Sequence, residues 1–377
     1  MLVDKKVFAL PVLTTVSGKT IRDVRVGWES YGALNAERSN AILICHFFSG
    51  TSHAAGQYRE SDPLPGYWDA IVGPGKAVDT DKYFVFSCDT LVNVNANDPM
   101  VTTTGPASTD PATGKPYGMN FPLVTIGDFV RVQKALVDHL GIDKLHAVMG
   151  PSMGGLQTYE WAASYPDRVA RIVPVIAAAS PGAWLIAWLN IWATPILLDP
   201  AWNGGDYYSG APPLAGLAAA IKIIALQANH FRWTDATYGA SLAKADQNPL
   251  AAFENKFAVE AVFEAAGAAR AALSDANHLL YLVKANQAFI PGCGAGARNA
   301  EEGLKRIKAP ALVLYSPTDL VFPQDWVKAT ARALSANGVS VETDEIHGPY
   351  GHLNGVYGIA PLGERIAAFL AQPSAIG

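Results

Sequence analysis

The serine at position 152 lies in a motif, GPSMGG, that is typical of nucleophilic serines. The motif follows an apolar run, LHAVMG, and precedes a segment with helical periodicity, GLQTYEWAASYP. A G-x-S-x-G motif between a strand and a helix forms a tight turn, in which a side chain at either glycine would collide with neighbouring backbone. The turn exposes the hydroxyl beside a helix N-terminus, which favours developing negative charge. We therefore predict that Ser152 is a nucleophile.

A serine hydroxyl needs a base, and after a motif of this kind the partners follow in the order serine, acid, histidine. Asp319 ends the turn SPTD after the apolar run ALVLYS, and His352 lies in the later loop HGPYGHLNG. His347, five residues earlier, is an alternative base. His352 is favoured because it lies deeper in the loop and follows Gly351, which permits a turn. We therefore predict Asp319 as the acid and His352 as the base.

Two backbone N–H donors are also required to hold the oxyanion that forms during acyl transfer. One comes from the residue after the nucleophile, which is Met153. The other comes from the loop after an early strand, where Phe48 is the preferred candidate and Ser49 is the nearest alternative. His46 and His53 lie close to this loop, and a structural hydrogen bond is the simplest expectation for both.

The elements that must position these residues are short apolar runs alternating with helical segments. This pattern is typical of a mainly parallel sheet covered by helices on both faces. Strands are predicted at residues 41–47, 83–89, 145–150, 171–178, 311–316 and 339–346, and a helix at residues 125–141 with Asp128 near its N-terminus. Together with the serine motif, they predict an α/β-hydrolase fold.

The alternation stops near residue 180 and resumes near residue 308. The alanine-rich stretch between them lacks strand patterns, so we predict a core of residues 1–180 and 301–377 with a helical cap at residues 181–300. Trp184, Trp188 and Trp192 follow one another at helical spacing in this cap. They either pack in the core or line an acyl or alcohol pocket.

The composition argues against several classes of binding partner and cofactor. Only 16% of the 377 residues are charged and the formal net charge is −5, with no basic stripe for a nucleic acid. The three cysteines lack C-x-x-C spacing, and the first residues lack a signal-peptide pattern. No apolar run is long enough to span a membrane. We therefore expect a cytoplasmic protein that does not enter a membrane. No cluster has metal-ligand spacing and no dinucleotide motif follows the first strands, so no cofactor is expected.

Four segments resemble the homoserine O-acetyltransferase family: GPSMGGLQTYEWAASYPDRV, GPGKAVDTDKYFV, DPATGKPYGMNFPLVTIGDFVRVQKALVDHLGI and HFFSGTSHAAG. The resemblance is strong over about residues 20–180 and looser after residue 308. It implies an α/β-hydrolase core with a helical cap, usually in a homodimer, and a ping-pong mechanism through an acetylated serine. By motif it assigns Ser152, Asp319 and His352 to the catalytic triad, and Phe48 and Met153 to the oxyanion hole.

Two departures from that family bear on function. The glycine-rich segment that the family shows after its fourth strand is replaced by DTLVNVNANDPMVTTTGPAS at residues 89–108. In the cap, Ala193 stands where the family carries an arginine that binds the carboxylate of homoserine. A carboxylate without that partner would be desolvated unpaired, which disfavours an amino-acid acceptor.

These departures predict a serine carboxylesterase that hydrolyses small uncharged esters, in particular short-chain acetates, because water is the default acceptor when no alcohol is held in place. One alternative is an acetyl-CoA-dependent O-acetyltransferase that uses homoserine or another alcohol. The other is a non-catalytic α/β-hydrolase-like binding protein, against which the intact serine, acid and base argue.

Overall fold

The computed structural model describes residues 1–373, whose strands are β1 (Lys6–Thr14), β2 (Thr20–Tyr31), β3 (Ala41–Ile44), β4 (Val72–Gly73), β5 (Val78–Asp79), β6 (Phe84–Cys88), β7 (Ala147–Pro151), β8 (Ile172–Val175), β9 (Ala311–Tyr315) and β10 (Val341–Glu345). Eight of them form one sheet in the order β1-β2-β6-β3-β7-β8-β9-β10, and β4 pairs with β5. The pairs β1–β2 and β2–β6 are antiparallel, and the other pairs are parallel.

The helices are α1 (Ile126–His139), α2 (Met153–Ser164), α3 (Ala183–Leu198), α4 (Leu214–Ala228), α5 (Phe231–Thr237), α6 (Ala258–Ala272), α7 (Ala276–Gln287), α8 (Ala300–Leu304), α9 (Gln324–Ala336), α10 (Asn354–Tyr357) and α11 (Gly363–Ala371). Successive residues of a strand point to opposite faces of the sheet. Leu43 therefore joins a cluster with Phe129 of α1, whereas Ile42 and Ile44 join a second cluster with Phe369 of α11. Helices thus cover both faces of the sheet, in an α/β-hydrolase fold.

All six predicted strands are present, each within the predicted range or displaced by a single residue. The predicted helix is α1, which Thr125 caps while Asp128 completes a capping box in its first turn. The hairpin of β1 and β2 was not predicted. β1 (KVFALPVLT) is an apolar run that Pro11 interrupts, and a proline within a run argues against a strand except at the edge of a sheet, where β1 lies.

A helical insertion separates β8 from β9. Within it α4 packs against α3 and α6, and α3 also packs against α7. Residues 181–300 are all described, and their only β-type interaction is an isolated bridge between Leu242 and Phe257. The insertion therefore has the helical character that the alanine-rich composition predicts.

Three further properties concern residues 1–373 as a whole. Cys45, Cys88 and Cys293 carry free thiols, and the first two are buried. No three His, Cys, Asp or Glu side chains of this part of the chain are grouped so that they could hold a metal ion. No single helix in it is both long and apolar enough to cross a membrane, although α4 and α5, which meet at a bend of 103°, pass that test as a pair.

Candidate active site

Ser152 occupies the turn between β7 and α2. Its φ of 57° and ψ of −120° place it in a strained region of backbone conformation. A Cβ atom on Gly150 would lie 2.4 Å from the carbonyl oxygen of Cys45, and one on Gly154 would lie 2.1 Å from the same oxygen. Both glycines are therefore required by the close approach of the turn to the end of β3, as the motif predicts.

A chain of two hydrogen bonds joins the predicted triad. Nε2 of His352 lies 2.9 Å from Oγ of Ser152, and Nδ1 of His352 lies 2.7 Å from Oδ2 of Asp319. Because Asp319 accepts from Nδ1, Nε2 is free to accept the serine proton. Oδ1 of Asp319 accepts from the backbone N–H groups of Val321 and Phe322, at 2.7 and 2.9 Å, which fixes the carboxylate. The side chains of Ser152, His352 and Asp319 are all buried.

The alternative base lies elsewhere. The side chain of His347 is 79% exposed, and its Nε2 lies 3.5 Å from a carboxylate oxygen of Glu345. The loop around His352 is instead held inward by Asn354, a residue that the sequence analysis missed. Its Oδ1 accepts from the Tyr350 N–H at 3.0 Å, and its Nδ2 donates to Oγ of Ser316 at 3.0 Å. The structure thus brings His352, and not His347, to the serine.

The two predicted oxyanion donors have free N–H groups. Met153 is the first residue of α2, so its N–H has no acceptor within the helix. Phe48 lies in the loop of residues 46–50, called here the β3 loop, which turns through a bond from Gly50 N–H to the Phe47 carbonyl. Within residues 1–373 neither the Phe48 nor the Met153 N–H donates to a protein acceptor. Both donors remain available for a substrate oxygen.

Side chains from the segment of residues 89–108 support the β3 loop. Nδ2 of Asn93 donates to the Gly50 carbonyl at 3.0 Å, and Nδ2 of Asn95 donates to the Ser49 carbonyl at 3.2 Å. The Ser49 carbonyl also accepts from Nη2 of Arg270 at 2.9 Å. The sequence analysis missed these three residues, because only the folded chain brings segments 46–50, 89–108 and α6 together.

His46 and His53 have the structural hydrogen bonds that were expected. Nε2 of His46 accepts from the Thr90 N–H at 3.2 Å, so Nδ1 carries the proton and donates to the Phe47 carbonyl at 2.7 Å. Burial lowers the pKa of His46, which keeps it neutral. Nδ1 of His53 lies 3.0 Å from Oε2 of Glu29.

A cavity of about 470 Å³ lies between the β3 loop and the helical insertion. Its walls come from α4 and α6, from Phe47 to Ser49, and from the loop around His352, where Leu353 lines it. The lining is mainly apolar and aromatic and includes Ile221, Trp233, Tyr238, Phe263 and Tyr350. The side chains of Ser152, His352 and Asp319 do not line this cavity, which adjoins the candidate site through Phe48 and Leu353. It can enclose an uncharged part of a small substrate whose ester group extends towards the serine.

None of the three predicted pocket tryptophans is among the residues that line this cavity. Trp192 is buried, donates to Oε1 of Gln227 at 2.7 Å, and packs edge-on against Phe48 with ring centroids 5.3 Å apart. Trp188 packs against Trp184, which is 52% exposed. Trp192 therefore supports the β3 loop by packing, and the other two lie away from the cavity.

The chain is similar to both esterases and acetyltransferases. A family model described as alpha/beta hydrolase fold matches residues 41–357. A homoserine O-acetyltransferase from Symbiobacterium thermophilum is 39% identical, over 96% of this chain and 92% of that protein. The solved structure of esterase E22 is 47% identical with a TM-score of 0.92, over 98% of this chain and 100% of that one. The homoserine O-acetyltransferase of Bacillus anthracis is 36% identical, also with a TM-score of 0.92, over 100% of both chains.

Proposed function

This chain belongs to the α/β-hydrolase-fold family, in the group that includes the homoserine O-acetyltransferases, and from that premise we propose that it is a serine carboxylesterase acting on short-chain esters. The observation that carries the proposal is the hydrogen-bonded chain from Ser152 through His352 to Asp319. It ends at a serine with two free backbone N–H groups as candidate oxyanion donors, and a mainly apolar cavity adjoins these residues at Phe48 and Leu353.

The proposed reaction has two acyl-transfer steps. His352 takes the proton of Ser152 as Oγ attacks the ester carbonyl, and the N–H groups of Phe48 and Met153 stabilise the oxyanion. The alcohol leaves with the proton from His352. A water molecule then gives its proton to His352 and attacks the acyl-serine, releasing the carboxylic acid and restoring the hydroxyl. Asp319 orients the imidazole and stabilises its positive charge in both steps.

Two observations favour water over an alcohol as the acceptor. Esterase E22 is 47% identical to this chain, whereas the homoserine O-acetyltransferases compared above are 36% and 39% identical. Ala193 is buried in α3 and offers no charge to an amino-acid carboxylate. An acyl-serine without a bound alcohol is hydrolysed by water, since attack depends on positioning of the acceptor.

Acetyl transfer from acetyl-CoA to an alcohol remains the second candidate function. The names of the curated relatives favour it, because the one compared above is a homoserine O-acetyltransferase that aligns with 96% of this chain. It uses the same serine, acid and base for the first half of the reaction. The two candidates therefore differ in the acyl donor and in which acceptor attacks the acyl-serine faster.

The deciding experiment measures hydrolysis of ethyl acetate and 4-nitrophenyl acetate beside acetyl transfer from acetyl-CoA to homoserine. Ser152→Ala is the inactive variant, and Ser340→Ala, at an exposed position, is the matched control. We expect ester hydrolysis that Ser152→Ala abolishes and Ser340→Ala retains. Transfer to homoserine that outruns hydrolysis would instead establish the acetyltransferase.

A further inference from the structure

Arg270, at the C-terminal end of α6, has an unusual environment for a cation. Its Nη2 donates to the Ser49 carbonyl at 2.9 Å and to Oδ1 of Asn95 at 3.0 Å, so both acceptors are neutral. Within residues 1–373 no carboxylate forms an ion pair with it, and Asp98 acts on it only from a distance. The guanidinium has five N–H donors, of which Nη2 supplies two, so Nε and Nη1 are left without a protein partner in this part of the chain.

Arg270 is an exposed residue and is one of those that line the cavity. Protein atoms surround much of the guanidinium, and this burial lowers its pKa from the ordinary value. The two hydrogen bonds hold it beside Ser49, the neighbour of the candidate oxyanion donor Phe48. A fixed and partly desolvated guanidinium is the group that proteins use to bind a carboxylate with two parallel hydrogen bonds.

A second cation lines the same cavity. The side chain of Lys222, from α4, passes over Gly267 of α6, where a Cβ atom would lie 2.9 Å from its Cγ. Glu264 interacts electrostatically with Lys222, but it is paired with Lys256 and does not line the cavity. Among all the described residues that form the lining there are these two cations, Lys222 and Arg270, and no aspartate or glutamate. The lining thus carries a formal charge of about +2.

We infer that this cavity contains a subsite for an anionic group, formed by Arg270 with the support of Lys222, and that the preferred esters carry a carboxylate. The inference rests on the proposed function and specifies its substrate class. It changes the expectation of an uncharged substrate, which rested on Ala193. That alanine removes one cation from α3, but Arg270 and Lys222 bring two others to the cavity from α6 and α4.

The test compares each anionic ester with a neutral partner in which the carboxylate is methylated, and it follows only the ester bond that the two share. The first pair, 4-acetoxybenzoate and its methyl ester, places the carboxylate on the alcohol side. The second pair, monoethyl succinate and ethyl methyl succinate, places it on the acyl side. For at least one pair we expect kcat/KM of the anion to exceed that of its neutral partner by about tenfold, which corresponds to about 1.4 kcal/mol. Added salt should reduce the ratio.

Variants identify the source of that preference. Arg270→Gln also removes the bond to the Ser49 carbonyl, which slows both esters of a pair, so the ratio of the two is the informative quantity. We expect Arg270→Gln to bring the ratio close to one, Arg270→Lys to restore part of it, and Lys222→Gln to lower it. Lys284→Gln, at an exposed position of α7 outside the cavity, should leave it unchanged.

A binding measurement separates this inference from the proposed reaction. Calorimetry on Ser152→Ala protein should give tighter binding of 4-acetoxybenzoate or monoethyl succinate than of the matching neutral ester, and Arg270→Gln in that background should remove the difference. Equal binding and equal kcat/KM within both pairs, or a preference that survives Arg270→Gln, would overturn the anionic subsite. Absence of hydrolysis with the binding preference intact would overturn only the esterase.

Discussion

The carbonyl oxygen of Cys45, at the end of β3, lies where a Cβ atom on Gly154 would be only 2.1 Å away. A separation under 3 Å from backbone cannot be relieved by a side-chain rotation. The first turn of α2 therefore packs directly against the start of the β3 loop. This contact sets the distance between the serine turn and the loop that supplies the second candidate oxyanion donor.

Gly154→Ala should therefore be both less stable and less active. We expect a loss of about 1–3 kcal/mol or more in the free energy of unfolding, as for other overpacked sites, and a fall in kcat from the displaced oxyanion donors. Denaturant unfolding and ester turnover measure the two effects. Gly363→Ala is the control, because its added Cβ would meet only Ala77 at an ordinary 3.5 Å. Equal stability of the two variants would contradict the prediction.

Asp319→Asn should reduce kcat by a factor on the order of 10³–10⁴ while the protein remains folded. The amide keeps an oxygen for the Val321 and Phe322 N–H groups, but it no longer provides a charged acceptor for Nδ1 of His352. Turnover and thermal unfolding are measured together, with the exposed Asp325→Asn as the control. Near-normal kcat in Asp319→Asn would show that another carboxylate orients the base.

Two buried histidines should make the protein less stable in mild acid. Burial lowers the pKa of His46 and of His278, and Nε2 of each accepts a backbone N–H, from Thr90 and Ala107. Protonation of Nε2 would place a new N–H group against the backbone N–H group from which Nε2 now accepts. Because the ordinary pKa in the unfolded chain is about 6.5, the unfolded state binds protons first as the pH falls below that value. Each histidine then removes up to about 1.4 kcal/mol of stability per pH unit.

Denaturant unfolding between pH 7.5 and pH 5 measures this loss. In His46→Gln and in His278→Gln, the free energy of unfolding should fall less steeply with decreasing pH than in the wild type, although both variants are less stable at pH 7.5. His347→Gln, at an exposed position, should retain the slope of the wild type. An unchanged slope in both buried variants would show that other groups cause the acid sensitivity.

Two tryptophans of the helical insertion should differ in their effect on substrate binding. Trp233 lines the cavity, so Trp233→Ala removes apolar contact area and should raise KM by about tenfold or more. Trp184 is half exposed and does not line the cavity, so Trp184→Ala should leave KM within about twofold. Steady-state kinetics with 4-nitrophenyl acetate compares them. The opposite order would place the substrate against α3.

The sequence by itself determined the local features of this protein. A G-x-S-x-G motif between an apolar run and a helical segment identified the turn at Ser152, because that turn depends on residues adjacent in the chain. Continuous apolar runs identified the buried strands for the same reason. The edge hairpin of β1 and β2 was not predicted, because Pro11 interrupts the apolar run of β1 and polar residues are mixed with the apolar ones in β2.

Only the tertiary structure decided which distant residues meet. His347 and His352 are close neighbours in the sequence, and the contact of Asn354 with the end of β9 turns the second of them inward. The cavity is lined from α4 and α6, whose approach depends on the packing of the whole insertion, so no local pattern marks Arg270. Local propensity acts over a few residues, whereas a binding site is assembled by long-range packing that a single sequence does not display.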